Sequence, residues 1–161
     1  MVMQIVEFHS VFKDLLTVFS DKKLLHFTDL DYCESLDNPL LKNWVTDKQR
    51  ISFAGYEGDK FVGFTSAHLV TKHLTASITI VILDAFQQQG FAKKLLQALL
   101  TRLFSQGIVR VEAQICTENE TSVHLFESLG FEREGILHKN FLINGILYDS
   151  YMYAKIYRGI S

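Results

Sequence analysis

The stretch from Ala76 to Leu103 changes its hydrophobic period once, and that change limits the folds open to this chain more than any other feature. "ASITIVIL" sets Ile78, Ile80 and Ile82 on one side and Thr79 and Val81 on the other. With both sides mostly apolar, it predicts a strand buried inside a sheet. After "DAFQQQG" the period becomes 3.6: Ala92, Leu95, Leu96, Leu99 and Leu103 form one stripe, with Lys93, Lys94, Gln97 and Thr101 opposite. Gly107 stops that helix, and "IVRVEAQIC" returns to alternation, Val109, Val111, Ala113 and Ile115 against Arg110, Glu112, Gln114 and Cys116.

The remaining segments fit around this strand–helix–strand unit. "RISFAGYEGDKFVGFTSAHLV" places two β-rich runs on either side of Glu57-Gly58-Asp59-Lys60, a hairpin signal. "TSVHLFESL" is a second helix ending at Gly130, and "GILHKNFLINGILYDSYMYAKIY" reads as two strands about Asn144-Gly145, a type I′ turn signal. Before residue 50, Ser10 is placed to cap a helix through "VFKDLLTVF", and an irregular helical region surrounds Pro39, the only proline. No repeat or linker divides the chain, so residues 1–161 read as a single domain of the order β-β-β-α-β-α-β-β. The expected class is α/β, a central mixed sheet flanked by helices.

Composition excludes several functions. With 16 Lys and Arg against 18 Asp and Glu, the net charge of −2 leaves no footprint for nucleic acid or an anionic membrane. The start "MVMQIVEFHSVFKDLL" lacks the pattern of a secretory leader, and no segment is apolar over a bilayer's width, which points to the cytoplasm. Cys33 and Cys116 lie outside any Cys-x-x-Cys pattern and read as reduced thiols. The six histidines show no ligand spacing, so no metal is expected.

Between the central strand and its helix, Gln87-Gln88-Gln89-Gly90-Phe91-Ala92 gathers loop amides and the first free N–H groups of the helix at one spot, backed by the positive end of the helix dipole. Such an arrangement suits a phosphate, with Gly90 admitting close backbone approach and Ala92 keeping the first turn small. Taken alone, the same loop is equally a short turn whose glycine relieves strain. It is neither Gly-x-Gly-x-x-Gly nor a Gly-x-x-x-x-Gly-Lys-Ser/Thr loop, which argues against dinucleotides and nucleoside triphosphates.

Gln87-x-x-Gly90-x-Ala92 resembles the Gln/Arg-x-x-Gly-x-Gly/Ala motif of the GNAT superfamily of acyl-CoA-dependent N-acetyltransferases. "NETSVHLFESLGFEREGIL" is similar to that family's next block, and "NGILYDSYMYA" to the closing hairpin of its ribosomal-protein and polyamine acetyltransferase branch. The resemblance covers residues 50–157. It implies a GNAT-like fold, acetyl-CoA as co-substrate, transfer to a primary amine of a small molecule or peptide, and a possible homodimer. It assigns the amides of Gln88, Gln89, Gly90, Phe91 and Ala92 to the CoA pyrophosphate. The strand edge at Ile80, Val81 and Ile82 goes to pantetheine, paired like an added strand. Asn119 goes to the same arm, although an N-cap role would also explain it.

One position departs from the family. Where many members carry a tyrosine that protonates the leaving thiolate, this chain has Phe126, which cannot donate a proton. Tyr148 is the substitute by residue type; water and site electrostatics are a second route, and a CoA-binding module without turnover a third. For the base that frees the amine, Glu112 is the candidate, Gln114 being no base, with His68 and His138 as further possibilities.

Overall fold

The computed structural model describes residues 2–159; Met1, Ile160 and Ser161 lie outside the described residues. Seven strands form one sheet: β1 (Met3–Glu7), β2 (Arg50–Glu57), β3 (Lys60–Val70), β4 (Thr75–Ile82), β5 (Arg110–Cys116), β6 (Glu132–Ile143) and β7 (Ile146–Ile156). Their spatial order is β1-β2-β3-β4-β5-β7-β6. Neighbours are antiparallel except β4 and β5, which run parallel and therefore need a crossover. The crossover is the expected amphipathic helix, here α4 (Phe91–Ser105), and the helix after β5 is α5 (Glu120–Ser128).

Each face of the sheet carries its own core. On one face Leu95, Leu96, Leu99 and Leu103 of α4 are fully buried against a layer that includes Ile78, Ile82, Val111, Ala113 and Ile115. The other face buries Ala54, Phe64 and Val81 beneath the helices of the first third. Phe19 stacks on Phe64 with ring centroids 5.9 Å apart, and Trp44 meets both rings edge-on at 5.4 and 5.5 Å. Dispersion and area burial by these rings hold the helical layer down, since its helices are too short to be stable alone.

The first third differs from its sequence reading. Ser10 caps no helix: a 3₁₀ turn at Lys13–Leu15 leads into α1 (Leu16–Phe19), and α2 (Lys22–Leu25) follows with Asp21 accepting from the N–H groups of Lys23 and Leu24. The segment is interrupted at Ser20, and Asp21 caps a new, short helix directly after it. Near Pro39 the reading holds: α3 (Pro39–Thr46) starts with proline in its first turn and Asn38 as its cap. Strand β1 gave no alternation to read, since only Met3 of its five residues is buried. The final hairpin closes at Asn144-Gly145 with both φ angles positive, as its turn type requires.

Candidate active site

The parallel pair at the sheet centre is incomplete. β4 and β5 are registered only at Thr75 with Arg110, Ala76 with Val111 and Ser77 with Glu112. Beyond that point β4 pairs with β3 alone and β5 with β7 alone. The facing edges of residues 78–82 and 113–116 therefore bound a wedge with its apex at Ser77 and Glu112, and with ladder donors and acceptors left for an extended ligand. Ile80 and Thr79 are half-buried there, while Ile78, Val81 and Ile82 are buried.

At the mouth of the wedge, the strand end turns through a 3₁₀ turn (Asp84–Phe86) into Gln87–Gly90 and α4. Gln87 braces this loop, its side-chain amide donating to the carbonyl of Ile82 at 2.9 Å and to Asp84 at 3.2 Å. Gln89 adds a bond to the carbonyl of Ala85 at 3.0 Å. Gln88 and Gly90 have φ of +60° and +86°, and no side chain caps α4. Among the described residues, the N–H groups of Gln88, Gln89, Gly90, Phe91, Ala92 and Lys93 donate to no protein acceptor. A Cβ built on Gly90 would meet nothing within 4 Å, so the space before these donors is open. Converging unpaired amides at a helix N-terminus, with room beside them, fit a pyrophosphate.

Asn119 caps α5 at the carboxyl end of β5, its side-chain oxygen accepting from the N–H of Ser122 at 3.2 Å. Its carboxamide NH₂ has no partner among the described residues. Phe126, a residue of α5, points into the core shared with α4, 3% exposed and edge-on to Phe131 at 5.0 Å.

Glu112 stands at the apex, but Arg110 holds its carboxylate at 2.8 Å. Arg110 also makes a two-pronged pair with Glu134, and that hydrogen bonding holds the Glu134 carboxyl below its usual range. Tyr148 shares a face with Ser150 and, through the pairing of Ser150 with Cys116, with Gln114 and Glu112. Glu112 is registered with Ala154, however, so Tyr148 lies about 20 Å along β7 at about 3.4 Å per residue. The register does not bring Glu112 and Tyr148 to one thioester. His138 sits on an irregularity of β6 between Leu137 and Phe141, its Nδ1 3.2 Å from Asp149.

Two groupings escaped the sequence reading. The arginine clamp across Glu112 and Glu134 joins residues on different strands, with no local signal beyond Arg110 and Glu112 sharing a face. The irregularity at Lys139, with φ of +52°, is held by Asp149 accepting from its N–H at 2.9 Å and by Asn140 reaching Gln114 at 2.8 Å. Neither lysine nor asparagine announces such a bend.

Known proteins resemble this chain in sequence and in fold. The model of the acetyltransferase (GNAT) family matches residues 12–131. The uncharacterized N-acetyltransferase YoaA of Bacillus subtilis (strain 168) is 26% identical over 147 residues, spanning 86% of this chain and 83% of that protein. Spermidine N(1)-acetyltransferase of Vibrio cholerae is 35% identical over 78 residues, 48% of this chain and 45% of its own length. In fold, the chain superposes with a TM-score of 0.84 on the crystal structure of spermidine N-acetyltransferase from Vibrio cholerae in complex with CoA and spermine, over 95% of each chain at 22% identity. With a family match over most of its length, a wedge beside unpaired loop amides and the matching fold, the chain belongs to the GNAT family of acetyltransferases and is an acetyl-CoA-dependent N-acetyltransferase.

Proposed function

We propose that this single domain acetylates a primary amine on a small molecule or a peptide, with acetyl-CoA lying in the wedge between β4 and β5. The observation that carries this reading is the end of β4–β5 pairing at Ser77 and Glu112, directly below a loop whose amides are unpaired. The amides of Gln88 to Ala92 take the pyrophosphate, and the free edge at Ile80 to Ile82 takes the pantetheine arm. The carboxamide NH₂ of Asn119 serves the same arm. An arm laid along residues 78–82 covers about 16 Å at about 3.3 Å per residue, which carries its thioester to the apex.

The chain's own residues then act on a thioester at that point. Glu112 and Arg110 form a charged floor that orients the acceptor's ammonium. Phe126 closes the core behind the arm and keeps water away from the reacting carbonyl. With Tyr148 far along β7, thiolate departure draws on water and on the site's dipoles; a thiol held nearer the mouth would restore Tyr148 as the acid. Relatives named for spermidine, for ribosomal-protein alanine and for L-2,4-diaminobutyric acid all present a primary amine, which supports that acceptor class.

We assign the protein to the cytoplasm on the strength of its two free buried cysteines; among the described residues no helix is long and apolar enough to cross a membrane. A homodimer would cover the apolar end of the β6–β7 hairpin, where Leu142, Ile146 and Leu147 are more than half exposed. The test is thiol release from acetyl-CoA with polyamines, amino acids, aminoglycosides and peptide N-termini, with mass detection of the acetylated product. Release with at least one amine is the expected result. Tight acetyl-CoA binding with no release across the panel would refute the reading.

A further inference from the structure

The proposed reaction needs a group that takes a proton from the acceptor's ammonium, and Glu112 is already held by Arg110. Strand register identifies another side chain at the apex. Arg50 of β2 is registered with His68 of β3, His68 with Ser77 of β4, and Ser77 with Glu112 of β5. These residues form one row across four strands. Registered partners share a face, and this is the face of Ser52 and Ala54, opposite α4. His68 is one strand spacing, about 5 Å, from the apex residue Ser77.

His68 is both accessible and oriented. Its side chain is 43% exposed, and its Nε2 lies 3.7 Å from Asp47, in the turn between α3 and β2. The ring thus presents Nε2 to the Asp47 carboxylate, and Nδ1 has no hydrogen-bond partner among the described residues. The charged groups facing His68 are Asp47 from that turn, Arg50 from β2 and, beyond the uncharged Ser77, the Glu112–Arg110 pair on β5. Arg50 is held in place from two sides, its guanidinium lying 4.7 Å over the Trp44 ring and donating to the Ser66 hydroxyl at 3.1 Å. His68 therefore stands between the fixed Arg50 guanidinium and the Asp47 carboxylate, with its side chain partly exposed.

We propose that His68 is the general base, with Asp47 as its positioning residue; this rests on the acetyltransferase reading above. Nδ1 takes one proton from the acceptor's ammonium, and the freed nitrogen attacks the thioester carbonyl carbon. The C–S bond breaks, the surplus proton on nitrogen is relayed by water to the departing sulfur, and amide and CoA thiol result. His68 then releases its proton to solvent.

The experiment is the pH dependence of kcat/KM for His68→Gln, Asp47→Asn and Glu112→Gln, with the best amine from the panel and with the acetyl-CoA Kd of each variant measured as a check on folding. His68→Gln is expected to lower kcat on the order of 10²-fold and to abolish the acid limb, at unchanged acetyl-CoA Kd. Asp47→Asn, which removes the positioning carboxylate, is expected to lower kcat while leaving the acceptor KM and the acetyl-CoA Kd unchanged. Glu112→Gln is expected to leave the limb in place. An acid limb that survives in His68→Gln, or one that Glu112→Gln alone removes, overturns the assignment while leaving the acetyltransferase reading intact. Wild-type protein that binds acetyl-CoA and acetylates nothing overturns the reading, and the inference with it.

Discussion

Glycines at the two ends of α4 allow the phosphate loop to be tested against an internal control. Gly90 precedes the helix with φ of +86°, Gly107 follows it with φ of +88°, and a Cβ on either meets nothing within 4 Å. Alanine at each position carries the same strain, about 1–2 kcal/mol for an L-residue held in the left-handed region. At about 2–4 °C per kcal/mol for a chain of this size, both Gly90→Ala and Gly107→Ala are expected to lower Tm by about 2–8 °C. They differ in what occupies the space around the methyl group. At Gly90 it enters the open space beside the loop to which the pyrophosphate is assigned; at Gly107 it faces open space beyond the far end of the helix. Gly90→Ala is therefore expected to weaken acetyl-CoA binding more than tenfold, a loss of about 1.4 kcal/mol or greater, while Gly107→Ala leaves the affinity unchanged. Titration calorimetry with CoA and acetyl-CoA, beside thermal melts, reads both quantities. Equal affinities in the two variants would show that Gly90 serves only the turn, and the phosphate assignment would fall.

Asn119→Ala is expected to lose about 1 kcal/mol of stability with its cap and to raise the KM for acetyl-CoA; Asn119→Ser, which keeps a capping oxygen but no NH₂, restores the melt and not the KM. A KM restored by serine would reduce Asn119 to a cap. Phe126→Tyr adds a hydroxyl to a ring 3% exposed and is expected to cost about 1–3 kcal/mol without a gain in kcat. Tyr148→Phe is expected to leave kcat unchanged, and a fall at constant acetyl-CoA KM would place the thiol at the wedge mouth. The Lys139 N–H and then His138 hold the Asp149 carboxyl below its usual range, so its contribution is present above the ordinary carboxylate value and is lost as pH falls through the lower folded value. The Tm advantage of wild type over Asp149→Asn is accordingly expected at neutral pH and expected to vanish in acid; an advantage that grows on acidification contradicts the bond pattern.

Much of the central sheet could be read from the sequence because its signals are local. The change of period at Phe91, the hairpin at Gly58-Asp59 and the Asn144-Gly145 turn each lie within a few residues of the structure they specify, and each appears where expected. The loop amides could be anticipated for the same reason. Strand β1 and the break between α1 and α2 were not legible, because tertiary pairing with β2 and a cap at Asp21 decide them rather than periodicity. The catalytic face was least legible. Which of Glu112, Tyr148 and His68 meets the apex depends on the register of five strands, and a candidate chosen by residue type alone, Tyr148, proves to stand about 20 Å along its strand from the candidate base.

Backbone amide exchange, followed with and without CoA, tests the wedge itself. An arm paired along β4 should slow exchange at those alternate amides of residues 78–82 that face the wedge rather than β3, and a pyrophosphate on the loop should slow it in residues 88–93, since these amides acquire acceptors. The far end of the β6–β7 hairpin, around Leu142 to Leu147, should exchange as before. CoA that binds while leaving 78–82 and 88–93 unprotected, or that protects the hairpin instead, would contradict the placement of the cofactor between β4 and β5.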